Sequence, residues 1–299
     1  MNITRREALA LLAASAAAAP AFGKTSSMLT RPIPSSQEQL PVIGLGTWQT
    51  FDVGSSAAER APLRDVLSLF VQLGGRLVDS SPMYGRSESV LGDLAMQLTL
   101  HEKLFLATKV WTSGRKAGIA QMEDSERKLR GRVDLMQIHN LLDADTHLET
   151  LRRMKAEKQI RYVGITHYTA GAYAELEQAM KRPGIDFVQL NYSLAEREAE
   201  KRLLPLAQER GLAVLANRPF GAGALFREAR NKPLPSFAGE LGAMSWAELF
   251  LKFVISHPAV TCAIPATSRP EHLRQNMNAG RTPLPDAALR KKIAAALLE

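Results

Sequence analysis

The stretch RLVDSSPMYGRSE, residues 76–88, contains the pattern that decides the fold. Leu77 and Val78 form a short apolar run that is typical of a buried strand, and the run ends in a carboxylate, Asp79. A proline and a glycine turn follow, and Tyr84 stands at that turn. The stretch is either an ordinary strand-to-helix connection or part of a site in which the carboxylate and the phenol act together.

A short apolar run followed by a longer amphipathic one recurs along the chain after residue 40. Eight apolar runs predict strands, at 42–47, 76–80, 104–110, 134–140, 162–167, 187–192, 213–218 and 261–267. Amphipathic patterns predict helices, at 57–73, 86–98, 116–130, 144–157, 171–181, 197–210, 245–256 and 270–278. The runs are apolar on both faces, as parallel strands covered on both sides must be. Eight such units in about 250 residues predict an α/β fold, a (β/α)₈ TIM barrel, rather than an open doubly wound sheet.

Glycine and proline positions agree with this division. Gly211 falls where the sixth helix would end, and Pro270 falls where the eighth would begin. The segment RPIPSSQEQ, 31–39, predicts a β-hairpin that closes the bottom of the barrel. The connection 220–240 is unusually long, and long connections in compact domains are usually functional, often lids. We expect a single domain over residues 24–299.

The composition is globular and limits the classes of function. Of the 299 residues, 45% are hydrophobic and 23% are charged, and the net charge is +8. The basic clusters resemble solvated helix faces and no nucleic-acid-binding motif accompanies them, so we expect no nucleic acid as a partner. The single cysteine, Cys262, lies in an apolar run and is expected in the core. No pair of histidines or carboxylates has metal-ligand spacing, so we expect no metal.

Residues 1–23 predict a twin-arginine (Tat) export signal. The arginine pair 5–6 precedes an apolar, alanine-rich run, 8–19, that is short for a membrane span. Small residues follow, and cleavage is expected after Ala21 or Gly23. We therefore expect the twin-arginine export machinery as a partner, a periplasmic location without a stable membrane anchor, and a cytoplasmic location only if the signal is not used. The alternative, an amphipathic helix packed on the protein, is disfavoured because the run is apolar on almost all sides.

In a barrel of this kind the active site lies at the carboxyl ends of the strands. Polar and titratable side chains concentrate there, namely Thr47, Trp48, Asp79, Tyr84, Lys109, Trp111, His139, Asn140, Thr166, His167, Gln189, Asn191, Asn217, Arg218, Thr267 and Ser268.

Four of these residues can exchange a proton with a carbonyl oxygen. Tyr84 would be the general acid, and a nearby Lys109 cation would lower the pKa of its phenol from about 10. Asp79 would keep a buried Lys109 protonated. His139 can donate a hydrogen bond that orients the carbonyl.

Five motifs, in this order and spacing, resemble the aldo-keto reductase superfamily: LVDSSPMYGRSESVLG, ATKVW, QIHN, VQLNYS and IPATSRPEHLRQN. The resemblance implies a (β/α)₈ barrel that binds NADP(H) and transfers hydride between the nicotinamide and a carbonyl. The catalytic residues of the family fall on Asp79, Tyr84, Lys109 and His139. The cofactor-binding residues that the resemblance implies are Thr47, Trp48, Asp79, Thr166, His167, Gln189, Asn217, Arg218, Pro219, Phe220, Ala266, Ser268, Arg269, His272, Gln275 and Asn276.

The chain departs from the family pattern at several positions. Thr-His at 166–167 replaces the usual Ser-Asn or Ser-Arg, and Ala266 replaces a glycine. Where an aromatic residue commonly stacks on the nicotinamide, the chain offers Asn217 and Arg218, so stacking would fall to Arg218 or Phe220. The chain also ends soon after the eighth predicted helix, without the long C-terminal loop of some relatives.

The sequence therefore predicts an NADPH-dependent enzyme that reduces a small-molecule aldehyde or ketone to an alcohol, as a monomer or weak oligomer. One alternative is an NADP(H)-binding redox sensor with little turnover, which His167 and Asn217 near the nicotinamide would suit. The other is an isomerase or aldolase on the same fold, with Lys109 forming a Schiff base.

Overall fold

The predicted strands form a parallel barrel in a computed structural model that describes residues 27–298. An antiparallel hairpin comes first, made of β1 (Thr30–Pro32) and β2 (Gln39–Pro41). The eight parallel strands follow, as β3 (Leu45–Gly46), β4 (Leu77–Asp79), β5 (Phe105–Val110), β6 (Leu135–His139), β7 (Tyr162–His167), β8 (Phe187–Asn191), β9 (Ala213–Asn217) and β10 (Cys262–Ala263).

The strands are hydrogen-bonded in chain order from β3 to β10. Parallel bridges between Ile43 and Ala263 and between Gly46 and Ala266 join the first strand to the last and close the barrel. The (β/α)₈ prediction is confirmed. At this seam β3 and β10 contain only two residues each, fewer than the sequence predicts, because isolated bridges replace a continuous ladder.

Helices cover the outside of the barrel. They are α1 (Ala57–Gln72), α2 (Ser87–Gln97), α3 (Arg115–Leu129), α4 (Ala144–Ala156), α5 (Tyr173–Met180), α6 (Leu203–Arg210), α7 (Ala224–Glu228), α8 (Trp246–Ile255), α9 (Pro270–Ala279) and α10 (Ala287–Leu298). Three differ from the sequence prediction: α6 begins only at Leu203, after a 3₁₀ turn at Glu198–Glu200, and α7 and α10 are not among the predicted helices. Gly211 ends α6 with a φ of 63°, and Pro270 is the first residue of α9, both as expected.

The barrel interior is a core of its own, and the hairpin completes it. Its members are Ile33, Leu40, Leu77, Phe105, Ala107, Leu135, Tyr162, Phe187, Ala213, Leu215, Cys262 and Ile264. Ile33 and Leu40 come from the hairpin and are fully buried against the amino-terminal halves of the strands. The hairpin therefore closes the bottom of the barrel, as predicted, and Cys262 is a buried core residue.

Polar contacts hold the hairpin in place through Glu38. Its carboxylate accepts hydrogen bonds from Arg76 at 3.1 Å, from the Tyr162 hydroxyl at 2.7 Å, and from Arg161. Burial would raise the pKa of Glu38, but these hydrogen bonds and the two arginine charges hold it below its usual value. The bottom of the barrel is thus fixed by apolar packing inside and by ion pairs at its edge.

Among residues 27–298 no helix has the length and apolarity needed to cross a bilayer. The predicted export signal, residues 1–23, lies outside the described residues.

We expect Leu40→Ala to lower the free energy of unfolding by about 2–5 kcal/mol, because it opens a cavity between the hairpin and the barrel core. Urea unfolding followed by circular dichroism measures the change. Leu29→Ala, at an exposed position in the same segment, is the matched control and should cost much less. Equal losses in the two variants would contradict the view that the hairpin seals the core.

Candidate active site

The carboxyl ends of the strands surround a cavity of about 620 Å³. The predicted site residues that line it are Thr47, Trp48, Asp79, Tyr84, His139, Thr166, Gln189, Asn217, Arg218, Pro219, Phe220 and Ala266. Those that do not line it are Lys109, His167, Ser268, Arg269, His272, Gln275 and Asn276. The cavity thus brings together most of the residues that the sequence singled out, from strands distant in the chain.

A buried ion pair lies beneath the cavity. Lys109, near the end of β5, is fully buried, and its Nζ donates to Asp79 Oδ2 at 2.6 Å and to the Ser80 carbonyl oxygen at 2.6 Å. Burial would lower the pKa of Lys109, but the Asp79 carboxylate raises it above its usual value, with a further contribution from Tyr84. Lys109 is therefore held as a cation.

Side-chain amides donate hydrogen bonds to the second carboxylate oxygen of Asp79. Gln137 and Gln189 each donate from Nε2 to Asp79 Oδ1 at 2.9 Å, and Asn217 donates to Gln189 Oε1 at 3.3 Å. Gln137 is not among the site residues predicted from the sequence. The signal was present, because side chains two apart on a strand share a face and Gln137 stands two residues before His139. These amides fix the orientation of the carboxylate from three other strands.

A tight turn positions Tyr84 beside this ion pair. Gly85 has a φ of 58°, and a Cβ there would collide with the Asp52 carboxylate, which accepts a hydrogen bond from the Arg86 amide at 3.0 Å. Only glycine fits both the backbone conformation and the space. The Tyr84 ring centroid consequently lies 5.2 Å from Lys109 Nζ.

The pKa of Tyr84 differs from the sequence prediction. Burial raises it above its usual value, the Lys109 cation offsets only part of that rise, and the Asp79 carboxylate adds to it. The expected net lowering by Lys109 is wrong for the protein without ligand, because desolvation of the phenolate outweighs the lysine charge. Tyr84 therefore keeps its proton at neutral pH.

His139 faces Tyr84 across the cavity floor. The two ring centroids are 6.3 Å apart with an interplanar angle of 88°, and the Trp111 ring lies 6.1 Å from His139 on another side. Burial, and secondarily the Lys109 charge, lowers the pKa of His139 to about 3, so the ring is neutral. Ser81 Oγ accepts from the Met83 amide at 3.3 Å and lies 3.3 Å from His139 Nδ1. The Ser81 hydroxyl can still donate to Nδ1 of the neutral ring, and in that tautomer the ring proton lies on Nε2.

The part of the cavity wall formed by β7 and β9 contains a residue that was not predicted there. Thr166 lines the cavity, but His167 does not, and the next residue, Tyr168, takes part instead. Side-chain alternation along β7 explains this, since residues 166 and 168 share the inner face. The Tyr168 ring stacks on His167 at 5.8 Å, and the Arg218 guanidinium lies 5.9 Å from its centroid.

Two polar atoms of this wall have no hydrogen-bond partner among the described residues. They are Asn217 Oδ1 and Arg218 Nε, both buried from solvent. Arg218 also has a left-handed backbone, with a φ of 50°. Unpaired buried groups and backbone strain are costly, and both concentrate where proteins bind ligands.

The segment predicted to hold a phosphate begins at the end of β10. Ser268, Arg269 and His272 are exposed around the first turn of α9, whereas Gln275 is half-buried and Asn276 is buried. Arg269 forms an ion pair with the neighbouring Glu271. Only Ala266 of this segment reaches the cavity wall.

The long connection after β9 borders the cavity. It contains α7 and two 3₁₀ turns, Gly221–Gly223 and Ser236–Leu241. Phe220 and Phe226 both line the cavity, with ring centroids 4.8 Å apart. Phe226 is not among the site residues predicted from the sequence, and it belongs to α7, inside a connection for which no helix was predicted.

A model of the aldo/keto reductase family matches residues 42–293, from before the first barrel strand into the last helix. The chain belongs to the aldo/keto reductase family. This aldo/keto reductase is 30% identical over 253 residues to methylglyoxal reductase YeaE of Escherichia coli (strain K12), with 81% of this chain and 86% of that one covered.

Solved structures agree with the family assignment. An aldo/keto reductase from Klebsiella pneumoniae in complex with NADP and acetate has a TM-score of 0.73 and 26% identity, covering 91% of this chain and 95% of that one. A second K. pneumoniae aldo-keto reductase structure, in complex with NADPH, gives the same four values.

We expect His139 to remain neutral from pH 5 to 9, because burial and Lys109 lower its pKa to about 3. In histidine-labelled protein followed by NMR, the ring signal of His139 should not move over this range. His139→Gln assigns the signal by removing it. A shift of that signal with a midpoint between pH 5 and 9 would contradict the neutral assignment.

Proposed function

We propose that this protein is an NADPH-dependent reductase that converts a small aldehyde or ketone to an alcohol, with Tyr84 as the general acid. The observation that carries the proposal is the grouping of Tyr84 and His139 on the floor of one cavity, above the Asp79–Lys109 ion pair. Family membership supports the reaction class, and the name of the E. coli relative suggests methylglyoxal as one substrate to test.

The residues around the cavity fit a dinucleotide of the kind bound by the K. pneumoniae relative. The unpaired Asn217 Oδ1 and Arg218 Nε are available to a polar ligand on the wall formed by β7 and β9. Thr166, Gln189 and Phe220 complete that wall.

The start of α9 suits the phosphate groups of the same cofactor. Its free amides and the exposed Ser268 and Arg269 favour an anion, once Arg269 leaves Glu271. NADPH, when bound, supplies the hydride that adds to the carbonyl carbon.

Tyr84 would supply the proton that completes the reduction. Its raised pKa keeps the phenol protonated at neutral pH, so the hydroxyl can donate to the carbonyl oxygen as negative charge develops there. Lys109, held cationic by Asp79, then stabilises the phenolate that remains. A raised pKa suits reduction better than oxidation, because oxidation requires the phenolate at the outset.

His139 would orient the carbonyl. A neutral ring with its proton on Nε2 can donate a hydrogen bond to the same oxygen without adding a second positive charge beside Lys109. The chemistry therefore divides into a proton donor, a cation that supports it, and a neutral hydrogen-bond donor.

The Schiff-base alternative has less support. Lys109 Nζ is buried, donates to two oxygens and does not line the cavity, so it has no open path to a substrate carbonyl.

We expect Tyr84→Phe to lower kcat for aldehyde reduction by at least about a hundredfold, with the Kd for NADPH unchanged. The measurements are NADPH oxidation with a panel that includes methylglyoxal, and NADPH fluorescence titration. Tyr168→Phe removes a phenol from the same cavity and is the matched control. Tight NADPH binding without turnover by the wild type would favour the redox sensor, and no binding would overturn the proposed function.

We also propose that the protein is exported in folded form by the twin-arginine machinery, which would allow the barrel to load its cofactor before export. The pair Arg5→Lys, Arg6→Lys should keep the protein in the cytosol of a host that has this machinery. The control is Arg152→Lys, Arg153→Lys, which changes a second arginine pair within α4. Cell fractionation with immunoblotting reads out location, and wild-type protein in the cytosol would contradict export.

A further inference from the structure

Asn140, directly after His139, lines the cavity. Its Oδ1 is buried from solvent and has no hydrogen-bond partner among residues 27–298. The neighbouring polar groups differ in this respect, since Asp79, Gln189 and His139 each have a partner within the protein. An amide oxygen without a partner is a cost unless a ligand offsets it.

The backbone that presents Asn140 is strained. Asn140, Leu141 and Asp143 all adopt left-handed conformations, with φ of 53°, 56° and 48°. Asparagine and aspartate tolerate this region, but leucine rarely adopts it. Leu141 is held there by burial in the core, so the fold maintains the conformation that presents Asn140 at the end of β6.

The surroundings of Asn140 are mainly apolar. The same cavity wall also carries Trp48, Met83, Trp111 and Phe226, all of them large apolar side chains that remain exposed. A substrate bound against these side chains would lose its water, and any polar group on it would need a partner from the wall. On the side of the cavity from β4 to β6, Asn140 is a side chain that can serve, and its amide oxygen can accept a hydrogen bond, which the Trp111 indole cannot do.

The order of the strands separates Asn140 from the proposed phosphate-binding segment and from the unpaired atoms of Asn217 and Arg218, whereas Thr166 lies on the adjacent strand β7. In the closed barrel β6 lies opposite β10, where the proposed phosphate-binding segment begins, and next to β5. The residues with unpaired atoms proposed for the cofactor lie on β9 and just after it. Asn140 instead shares its side of the cavity with Trp111 and His139, where the substrate carbonyl would lie.

We propose that Asn140 is a specificity-determining residue that accepts a hydrogen bond from a hydroxyl group next to the reacting carbonyl. The preferred substrates are then α-hydroxy aldehydes and α-hydroxy ketones. The unpaired atom is an acceptor, so the group that matches it is a donor, and a hydroxyl is the smallest donor that can sit beside a carbonyl. This inference rests on the proposed function of the same cavity.

The test compares two substrates of nearly equal shape, lactaldehyde and 2-methylpropanal, in which a hydroxyl replaces a methyl group. In Asn140→Gly, which removes the amide and fits the left-handed backbone, we expect the ratio of their kcat/KM values to fall about tenfold, through lactaldehyde alone. The greater intrinsic reactivity of lactaldehyde cancels when the ratio is compared between variants. Asn231→Gly, at an exposed left-handed asparagine, is the matched control and should leave the ratio unchanged.

Hydroxyacetone and butanone repeat the comparison for ketones, and thermal unfolding checks that each variant is folded. An unchanged ratio in folded Asn140→Gly, with 2-methylpropanal still reduced, would overturn this inference and leave the proposed function standing. Failure of the wild type to reduce any aldehyde in the presence of NADPH would overturn both.

Discussion

The ion pair between Asp79 and Lys109 is the interaction on which the rest of the site depends. An ammonium group inside a barrel would lose its proton unless a carboxylate compensates for its desolvation, and the pair survives burial only if every remaining lone pair and proton is used. The Ser80 carbonyl and the amides of Gln137 and Gln189 supply much of that pairing. A single charge pair thereby accounts for the polar residues on four strands whose lower halves are entirely apolar.

The same ion pair also affects which of the neighbouring groups are charged and which are neutral. Burial favours the neutral forms of Tyr84 and His139, whereas Lys109 is kept charged by the Asp79 carboxylate. Tyr84 holds its proton and His139 remains uncharged, so the floor contains one proton that can leave and one cation that can stabilise its departure. Electrostatics of this kind are preorganised by the fold and need no rearrangement when a substrate arrives.

Much of this could be predicted from the sequence, because apolar runs in parallel strands and polar residues at their ends are local patterns. The barrel, the hairpin and the convergence of Tyr84 and His139 on one cavity followed from order and spacing alone. The prediction was wrong about which of two neighbouring residues faces the cavity, since Tyr168 lines it and His167 does not. The alternation of side chains along a strand contained that information. The pKa of Tyr84 could not be predicted either, because the depth of burial is a property of the assembled barrel. The same holds for the left-handed backbone at residues 140–143, which distant packing maintains.

The hairpin and the seam also determine when the fold can form. Arg31 donates to the His257 carbonyl oxygen at 2.8 Å, and the Leu29 amide donates to the Gly280 carbonyl oxygen at 2.8 Å, so the first described residues are tied to nearly the last. Contacts of such long sequence separation form slowly, since the whole intervening chain must be ordered first. While the chain emerges from the ribosome, β3 has no β10 to pair with and the bottom of the core is open. Closure therefore waits until β10 has been synthesised, and until then the nascent barrel presents an unpaired strand edge.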